Sequence, residues 1–504
     1  MNEEFFKEFH IASINGDKKW HSLKVNVLLQ NTEAKQPSIN AFLGARYSRS
    51  ADSIVDIAKE IYESGKDASK KLEAIFYNYG HKSVGDMADV FLTLENIPIF
   101  VAQRFFYSNP VHAGQERSTR YQDFSKPKFV RFPDSIKVSR KVQDGYEDLM
   151  HLALKYYSDL KDETEKAFIS YFKVTNDVNE KSALKARVFD TVRYFLPIGL
   201  QTSMGVLMSA RAWAERISYY RASKFEIERE LGELIYNLLM GTENLKNQGY
   251  IPEADGLIRH TEADSTRKAS TEAILEIISN YRTSDIPFEL FVSPNRDPSA
   301  ELIENYSLLI NPYSKLILGE DEFENVKKKV SEIIFQNHNH HHQLGNVGQS
   351  GSYLISGIAD YGAIKDLIRH RSFEKFIPLF EEELDFDKEM EREAKDMFRL
   401  CDYLEIPEFQ ALREKYSKNM LDYYSRVKKW YKLLQKEASK DISNEYGRYV
   451  LNHGYRVFYK FYGSFDDIAY TISLRTRNGG HIAYRKLTRD WLKALNILDP
   501  IWSG

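Results

Sequence analysis

The sequence predicts a helix-rich α+β (mixed α/β) protein made of two tandem domains of about equal size, each with a small sheet packed by long helices. Three observations carry this. At 504 residues the chain exceeds what one ordinary core accommodates. Long stretches rich in Lys and Glu place apolar residues at three and four residue spacing, as in VSRKVQDGYEDLMHLALKYYSDLKDETEKAF (138–168) and EKYSKNMLDYYSRVKKWYKLLQKEASKD (414–441), which reads as amphipathic helix with a solvated charged face. Third, segments of the first half recur in the second in the same order.

The recurrence is read element by element. GARYSRSADS (44–53) faces INPYSKLIL (310–318), each after a helical stretch preceded by a short strand-like run, LKVNVLL (23–29) or PFELFVS (287–293). SVGDMADVFLTLENIPIFVAQRFFYS (83–108) aligns without a gap to NVGQSGSYLISGIADYGAIKDLIRHR (346–371), each passing from x-V-G through a strand into an apolar helix. VRYFLPIGL (192–200) faces GRYVLNHGY (447–455), and ISYYRAS (217–223) faces ISLRTRN (472–478). Preserved order favours a tandem duplication. Periodicity weakens across 248–287, so the expected domains are 1–260 and 261–504.

Composition narrows the function. Apolar residues at 42% and aromatics at 13% are those of a folded protein, and a net charge of −3 gives no general attraction to nucleic acid or an anionic membrane, so any anion site must be local. The start MNEEFFKEFH lacks the basic and apolar regions of a signal peptide, and no run reaches the ~18 apolar residues of a membrane span, so a cytoplasmic location is expected. The single cysteine, Cys401, excludes an internal disulfide and a thiolate zinc site; its context RLCDYLEI reads as helix, with a packing role. The tract NHNHHHQLGN at 337–346 invites a metal reading, but no carboxylate or cysteine adjoins it and consecutive histidines cannot converge on one ion; no metal is expected.

Two arginine-bearing stretches remain. In QERSTRYQDF (115–124), arginine forks beside hydroxyl side chains suit a phosphate monoester, while a surface loop pairing with Glu116 and Asp123 is the alternative. In LIRHR (367–371), two arginines flanking a histidine suit a pyrophosphate or a flavin ring, or a helix C-terminus, where cations are favoured.

Together with ARYS (45–48), YGHKS (79–83), ERSTRY (116–121), Arg193 ahead of Leu196-Pro197, and Arg221 in YYRAS, this order of segments resembles the flavin-dependent thymidylate synthase (ThyX) family. The resemblance covers most of 40–235. The family's R-H-R is missing from the first half, which reads near Phe106-Tyr107-Ser108, yet stands intact as Arg369-His370-Arg371 in the second. There SFEKFIPLFEE has lost E-x-S-x-R-Y. The losses are complementary.

The family builds its sites at the interfaces of a homotetramer. The resemblance therefore implies a composite site, with nucleotide held by the first half and flavin by the second, in a homodimer imitating the tetramer with two sites in place of four. It implies Arg104, Glu116, Ser118, Arg120, Arg193 and Arg221 as substrate-binding, Arg221 also as a candidate for substrate activation. Ser48, His81, Arg369, His370, Arg371, Arg475 and His481 are implied as cofactor-binding. No side chain is implied as nucleophile, because reduced flavin carries the hard step. The implied reaction is methylation of dUMP to dTMP with FAD, NADPH and methylenetetrahydrofolate. The alternatives are hydroxymethylation or hypermodification of another pyrimidine nucleotide, which Arg117 in place of the family's leucine would signal, or a nucleotide-binding paralogue without catalysis.

Overall fold

DVFLTLENIP alternates apolar and polar residues, and Val90, Leu92 and Leu94 are buried on one face of strand β4 (Asp89–Pro98). The computed structural model describes the chain apart from residues 1, 17–20, 31–35, 64–81, 109–112, 121, 125–127, 176, 283, 295–297, 313–315, 337–347 and 503–504. Among the described residues β4 belongs to an antiparallel sheet with β1 (Asn2–Phe6), β2 (Ile11–Asn15), β3 (Lys24–Leu28), β5 (Ala113–Glu116) and β6 (Gln201–Ser209), in the order β1-β2-β3-β4-β6-β5. A second antiparallel sheet holds β7 (Leu290–Pro294), β8 (Tyr353–Asp360), β9 (Glu374–Phe376) and β10 (Arg456–Gly463), in the order β7-β8-β10-β9. The order β3-β4-β6-β5 thus recurs as β7-β8-β10-β9. The first sheet adds the β1–β2 hairpin.

Helices supply the rest, as the apolar spacing requires. The predicted stretch at 138–168 forms the helix Arg140–Phe172, begun by Ser139, whose hydroxyl accepts from the Val142 amide, and ended at left-handed Lys173. That at 414–441 forms the helix Gln410–Glu437. The two lie against each other: Trp430 donates its indole N–H to the Val142 carbonyl (2.9 Å), and Thr164 meets the Tyr416 hydroxyl (2.7 Å). Cys401 is buried, as a packing residue should be. It sits just before the short 3-10 turn Asp402–Glu405 and not inside an α-helix.

The halves meet where the matched segments 192–200 and 447–455 cross. Pro197 and Asn452, partners in the sequence match, form an antiparallel bridge. Around them, Ile198 N–H to Leu451 O (2.7 Å) is answered by His453 N–H to Leu196 O (3.1 Å), and Gly199 N–H to Tyr449 O (2.9 Å) by Gly454 N–H to Tyr194 O (3.1 Å). Each bond of one half has its counterpart in the other. The flanking bridges agree: Phe129 pairs with Leu200 as Phe398 pairs with Tyr455.

One expectation is corrected. The gapless match of 83–108 with 346–371 holds along the strands, where Leu92 faces Val206 as Ile355 faces Phe461. It then fails at a β-bulge between Glu95 and Ile97, where Asn96 takes φ 59 and donates its amide to the Ser22 carbonyl (2.8 Å). One extra residue shifts the following helix, so Ile99 matches Tyr361: Ile99 donates to Leu200 O as Tyr361 donates to Tyr455 O, both at 2.8 Å. The place of Arg369-His370 in the first half is consequently Tyr107-Ser108.

Close backbone approach at the crossing makes a prediction. A Cβ on Gly199 would lie 2.6 Å from Tyr449 Cβ and 2.8 Å from Tyr449 O, atoms that cannot rotate away. Gly199→Ala should therefore destabilise the protein by about 3 kcal/mol, read from the midpoint of urea unfolding; a change under about 0.5 kcal/mol would show that the crossing is loose.

Candidate functional site

The crossing brings β5 of the first half to the helix that follows β8 in the second. Glu116, the last residue of β5, is buried, and its Oε2 accepts from Arg369 Nη2 at 2.7 Å. Gln103 donates to the same oxygen. The Arg369 guanidinium also lies over the Phe106 ring, 5.1 Å from its centroid. The two motifs that sequence reading assigned to separate halves are thus joined by a charge-assisted hydrogen bond within one chain.

Arg193 ties the same elements together. In the 3-10 turn Arg193–Phe195 and fully buried, it donates to the Gly362 carbonyl (3.2 Å) and to Thr119 Oγ1 (3.3 Å), with Asp366 Oδ2 at 3.5 Å. Arg120 is held in a bidentate pair by Asp190, Nε to Oδ1 at 2.7 Å and Nη2 to Oδ2 at 2.9 Å, and reaches the Gly479 carbonyl at 3.0 Å. Gly479, at φ +90, permits that turn. Ser118 Oγ accepts from the Arg120 amide (3.2 Å) and so braces the loop. The acids flanking this loop pair outside it: Asp123 with Lys161, and Glu116 with Arg369.

On the second-half side, Arg475 Nε donates to His370 Nε2 (2.8 Å) and its Nη2 to the Asp366 carbonyl (2.7 Å). Accepting at Nε2 puts the imidazole proton on Nδ1, which faces Thr471 Oγ1 at 3.1 Å. Burial, with Arg475 alongside, pushes His370 down to about 3. Burial drives the Asp366 carboxyl up, but Lys365, Arg193, Arg475 and Arg369 outweigh it and hold the group well below the usual carboxylate range. Lys365 is itself buried, and burial pushes its ammonium down.

Several buried polar atoms of this cluster have no hydrogen-bond partner: Gln103 Oε1, Glu116 Oε1, Arg193 Nε, Arg369 Nε, His453 Nε2, and both ring nitrogens of His481. His481 precedes the helix Ile482–Leu498 and is fully buried, its ring 6.0 Å from that of Tyr194. Unpaired buried polar groups cost about 1–3 kcal/mol each, so these atoms call for partners beyond the chain, water or a ligand.

Not every expected residue comes here. Arg221 pairs with Glu233 (2.7 and 3.0 Å) and the Thr261 carbonyl (2.9 Å). Arg104 is buried in a separate network with Glu228 and Glu382. Ser48 donates to its own helix at Ala45 O (3.0 Å), and Arg371 is exposed. His81 and the histidine tract at 338–342 lie outside the described residues. Reasoning from motifs missed Asp190, Lys365, Asp366 and Thr471. Helical spacing was the available signal: Asp190 stands three residues before Arg193, and Lys365 and Asp366 four before Arg369 and His370.

With this geometry in view, comparison with known proteins is specific. Residues 27–240 match Thy1, the thymidylate synthase complementing protein family. A UPF0159 protein of Chlamydia muridarum is 19% identical over 452 residues, 85% of this chain and 78% of the relative. Another, of Chlamydia pneumoniae, is 20% identical over 469 residues, 89% of this chain and 82% of the relative. A third, of Thermoplasma acidophilum, is 21% identical over 368 residues, 65% and 71%. The first two alignments span both halves. A solved UMP/dUMP methylase PolB from Streptomyces cacaoi, bound with 5-Br dUMP, overlays at 12% identity with a TM-score of 0.29, over 43% of this chain and 93% of that one, too low a score to bear on the site.

The neutral, buried state of His370 has a consequence for stability. An unfolded histidine titrates near ~6.5, so below that pH the unfolded chain binds a proton that the folded chain refuses. Stability present above pH 6.5 is lost as pH falls toward about 3. Between pH 6.5 and 5 the wild type should lose about 2 kcal/mol more than His370→Gln, measured by urea unfolding at each pH; parallel losses would mean that His370 is not buried neutral.

Proposed function

We propose that the chain is a flavin-dependent pyrimidine nucleotide C-methyltransferase, most simply converting dUMP to dTMP, and that it arose by duplication of a Thy1-type domain. The observation that carries the reading is the Glu116–Arg369 contact at 2.7 Å, which joins the nucleotide motif of the matched region to the R-H-R of the other half. The recurring strand order and the paired hydrogen bonds at the crossing support the duplication, with domains at 1–260 and 261–504.

In this reading Arg120, Arg193 and Ser118 receive the nucleotide phosphate. Asp190 fixes the Arg120 fork in advance, so little side-chain entropy is lost on binding. Arg475 and Arg193 place positive charge beside the pyrimidine oxygens and draw electron density from the ring. The donor set also fits a flavin: Arg369 with an unpartnered Nε, His370 held as a neutral imidazole and His481 with two unpartnered nitrogens lie beside the nucleotide residues, with Arg371 exposed next to His370 in the chain. Reduced FAD, replenished by NADPH, would supply the electrons that turn a methylene from methylenetetrahydrofolate into the ring methyl. The working unit is a homodimer resembling the family's tetramer.

Two measurements test this. The purified protein should carry flavin absorbance, and Arg369→Ala should abolish FAD binding in equilibrium titration, whereas Arg120→Ala should weaken dUMP ~10- to 100-fold in calorimetry with flavin retained. Unchanged affinities in both variants would place the ligands elsewhere.

Mixing also discriminates. Because Glu116 and Arg369 meet within one chain, mixing Arg120→Ala chains with Arg371→Ala chains should restore no methyl transfer, every site keeping a lesion. Recovered activity would put the composite site between chains.

A further inference from the structure

The crossing at Pro197 and Asn452 relates the site above to a second place in the same chain, where the equivalent elements also meet. After the bulge, Arg104 stands where the first site has Asp366, Tyr107 where it has Arg369, and Ser108 where it has His370. On the sheet edge, Gln115 faces Gly205 as Phe376 faces Lys460, which puts Ile377 in the place of Glu116 and Glu381 in that of Arg120.

The contacts are kept in position and changed in chemistry. Arg369 to Glu116 becomes the Tyr107 hydroxyl against the Ile377 amide (3.3 Å), and His370 with Thr471 becomes Ser108 with Arg216 (2.6 Å). Arg448, the counterpart of Arg193, spends its donors on the carbonyls of Leu379 (3.1 Å), Asn444 (2.9 Å) and Glu381 (2.8 Å).

Arg104 fills the middle of this second place. Its Nε donates to Glu228 Oε1 (2.9 Å), its Nη1 to the Phe380 carbonyl (2.7 Å), and its Nη2 to Glu382 and the Tyr219 hydroxyl. The guanidinium also lies 5.0 Å from the Phe225 ring centroid. Glu382 accepts in addition from Ser223 Oγ (3.0 Å) and the Lys224 amide (2.9 Å). Among the described residues the second place also has unpartnered buried atoms, Arg216 Nε, Tyr220 Oη and Asn444 Oδ1, but none belongs to Arg104, Arg448, Glu228 or Glu382, whereas Glu116, Arg193, Arg369 and His481 all contribute to that set.

We propose that this second composite site is permanently occupied by the side chain of Arg104, so that each chain takes one nucleotide, at the first site alone. The charges point the same way. Where the first site sets Arg120, Arg193, Lys365, Arg369 and Arg475 against Glu116, Asp190 and Asp366, a surplus of cations, the second sets Arg104, Arg216 and Arg448 against Glu228, Glu381 and Glu382 and keeps no surplus to attract a phosphate monoester. Arg104 is therefore a structural ion-pair residue. Removing one partner leaves a buried charge uncompensated, which is expensive.

The inference rests on the nucleotide reading of the first site, and the test separates the two. Calorimetric titration of the full chain with dUMP should give one site per chain. Glu382→Gln should keep one site with dUMP affinity within about twofold of wild type, yet lower the melting temperature by about 5 °C. Two sites per chain in the wild type, or a tenfold loss of affinity in Glu382→Gln, would overturn the internal occupant. If no dUMP binds at all, the nucleotide reading fails instead. The thermal measurement still judges the second site, since an unchanged melting temperature in Glu382→Gln would show that Arg104 does not hold it closed.

Discussion

Everything at the site depends on the antiparallel exchange of backbone hydrogen bonds between 194–199 and 449–454. Four N–H···O bonds of 2.7 to 3.1 Å lock two segments that end against Arg193 and Arg448. Both arginines are buried, and their charge is compensated by the groups that surround it: Gly362 O, Asp190 and Asp366 for the first, Leu379, Asn444 and Glu381 O for the second. Gly362 is the second residue of the helix Tyr361–Leu367, two residues beyond whose end Arg369 stands, and its own amide donates to His453 O within the crossing. Backbone pairing thus sets the position of the helix, and the helix sets where Arg369 meets Glu116.

An ion pair of this kind stabilises little by itself, because two desolvated charges recover their cost only when the remaining donors and acceptors are satisfied. The two related places resolve that constraint oppositely. Around Arg104 every group of the pair is matched, which yields rigidity and no ligand. Around Glu116 and Arg369 one oxygen and one nitrogen stay unmatched inside the protein, with His481 alongside. Stability forgone in one place is compatible with stability gained in the other, since both are tied to the same crossing.

Much of the fold was legible because it rests on periodicity and order. The long helices followed from three and four residue spacing, and β3 and β7 from short runs of alternating apolar residues. The joining of QERSTRY to LIRHR could be read from complementary losses, which involve residue types and not geometry. What was illegible was register. A bulge is set by the backbone conformation of one residue, Asn96, whose φ of 59 and bond to Ser22 O leave no pattern in hydrophobicity. Lys365 and Asp366 were passed over for a related reason: in a sequence they look like a solvated pair, and only the packing of their helix against the helix Ile482–Leu498 and strands β8 and β10 buries Lys365 and half-buries Asp366.

Register also explains why Arg221 and Arg475, on matching helices of the two halves, take different roles. The match of 217–223 with 472–478 places Arg475 opposite Tyr220, so Arg221 stands one residue further on. One residue on an α-helix turns a side chain by about 100°. Arg475 consequently reaches inward to His370 and Asp366, whereas Arg221 reaches outward to Glu233 and Thr261. Tyr220, in the inward place, is buried and carries no charge, and Arg216, one turn earlier, lies against Phe105 and Ser108. A cation therefore stands on this helix in both halves, fully buried as Arg216 in the first and part-buried as Arg475 in the second. In the second it holds an imidazole at the edge of the site, and in the first it is absorbed into aromatic packing. The asymmetry of the two places is thus written into single-residue displacements along otherwise matching helices.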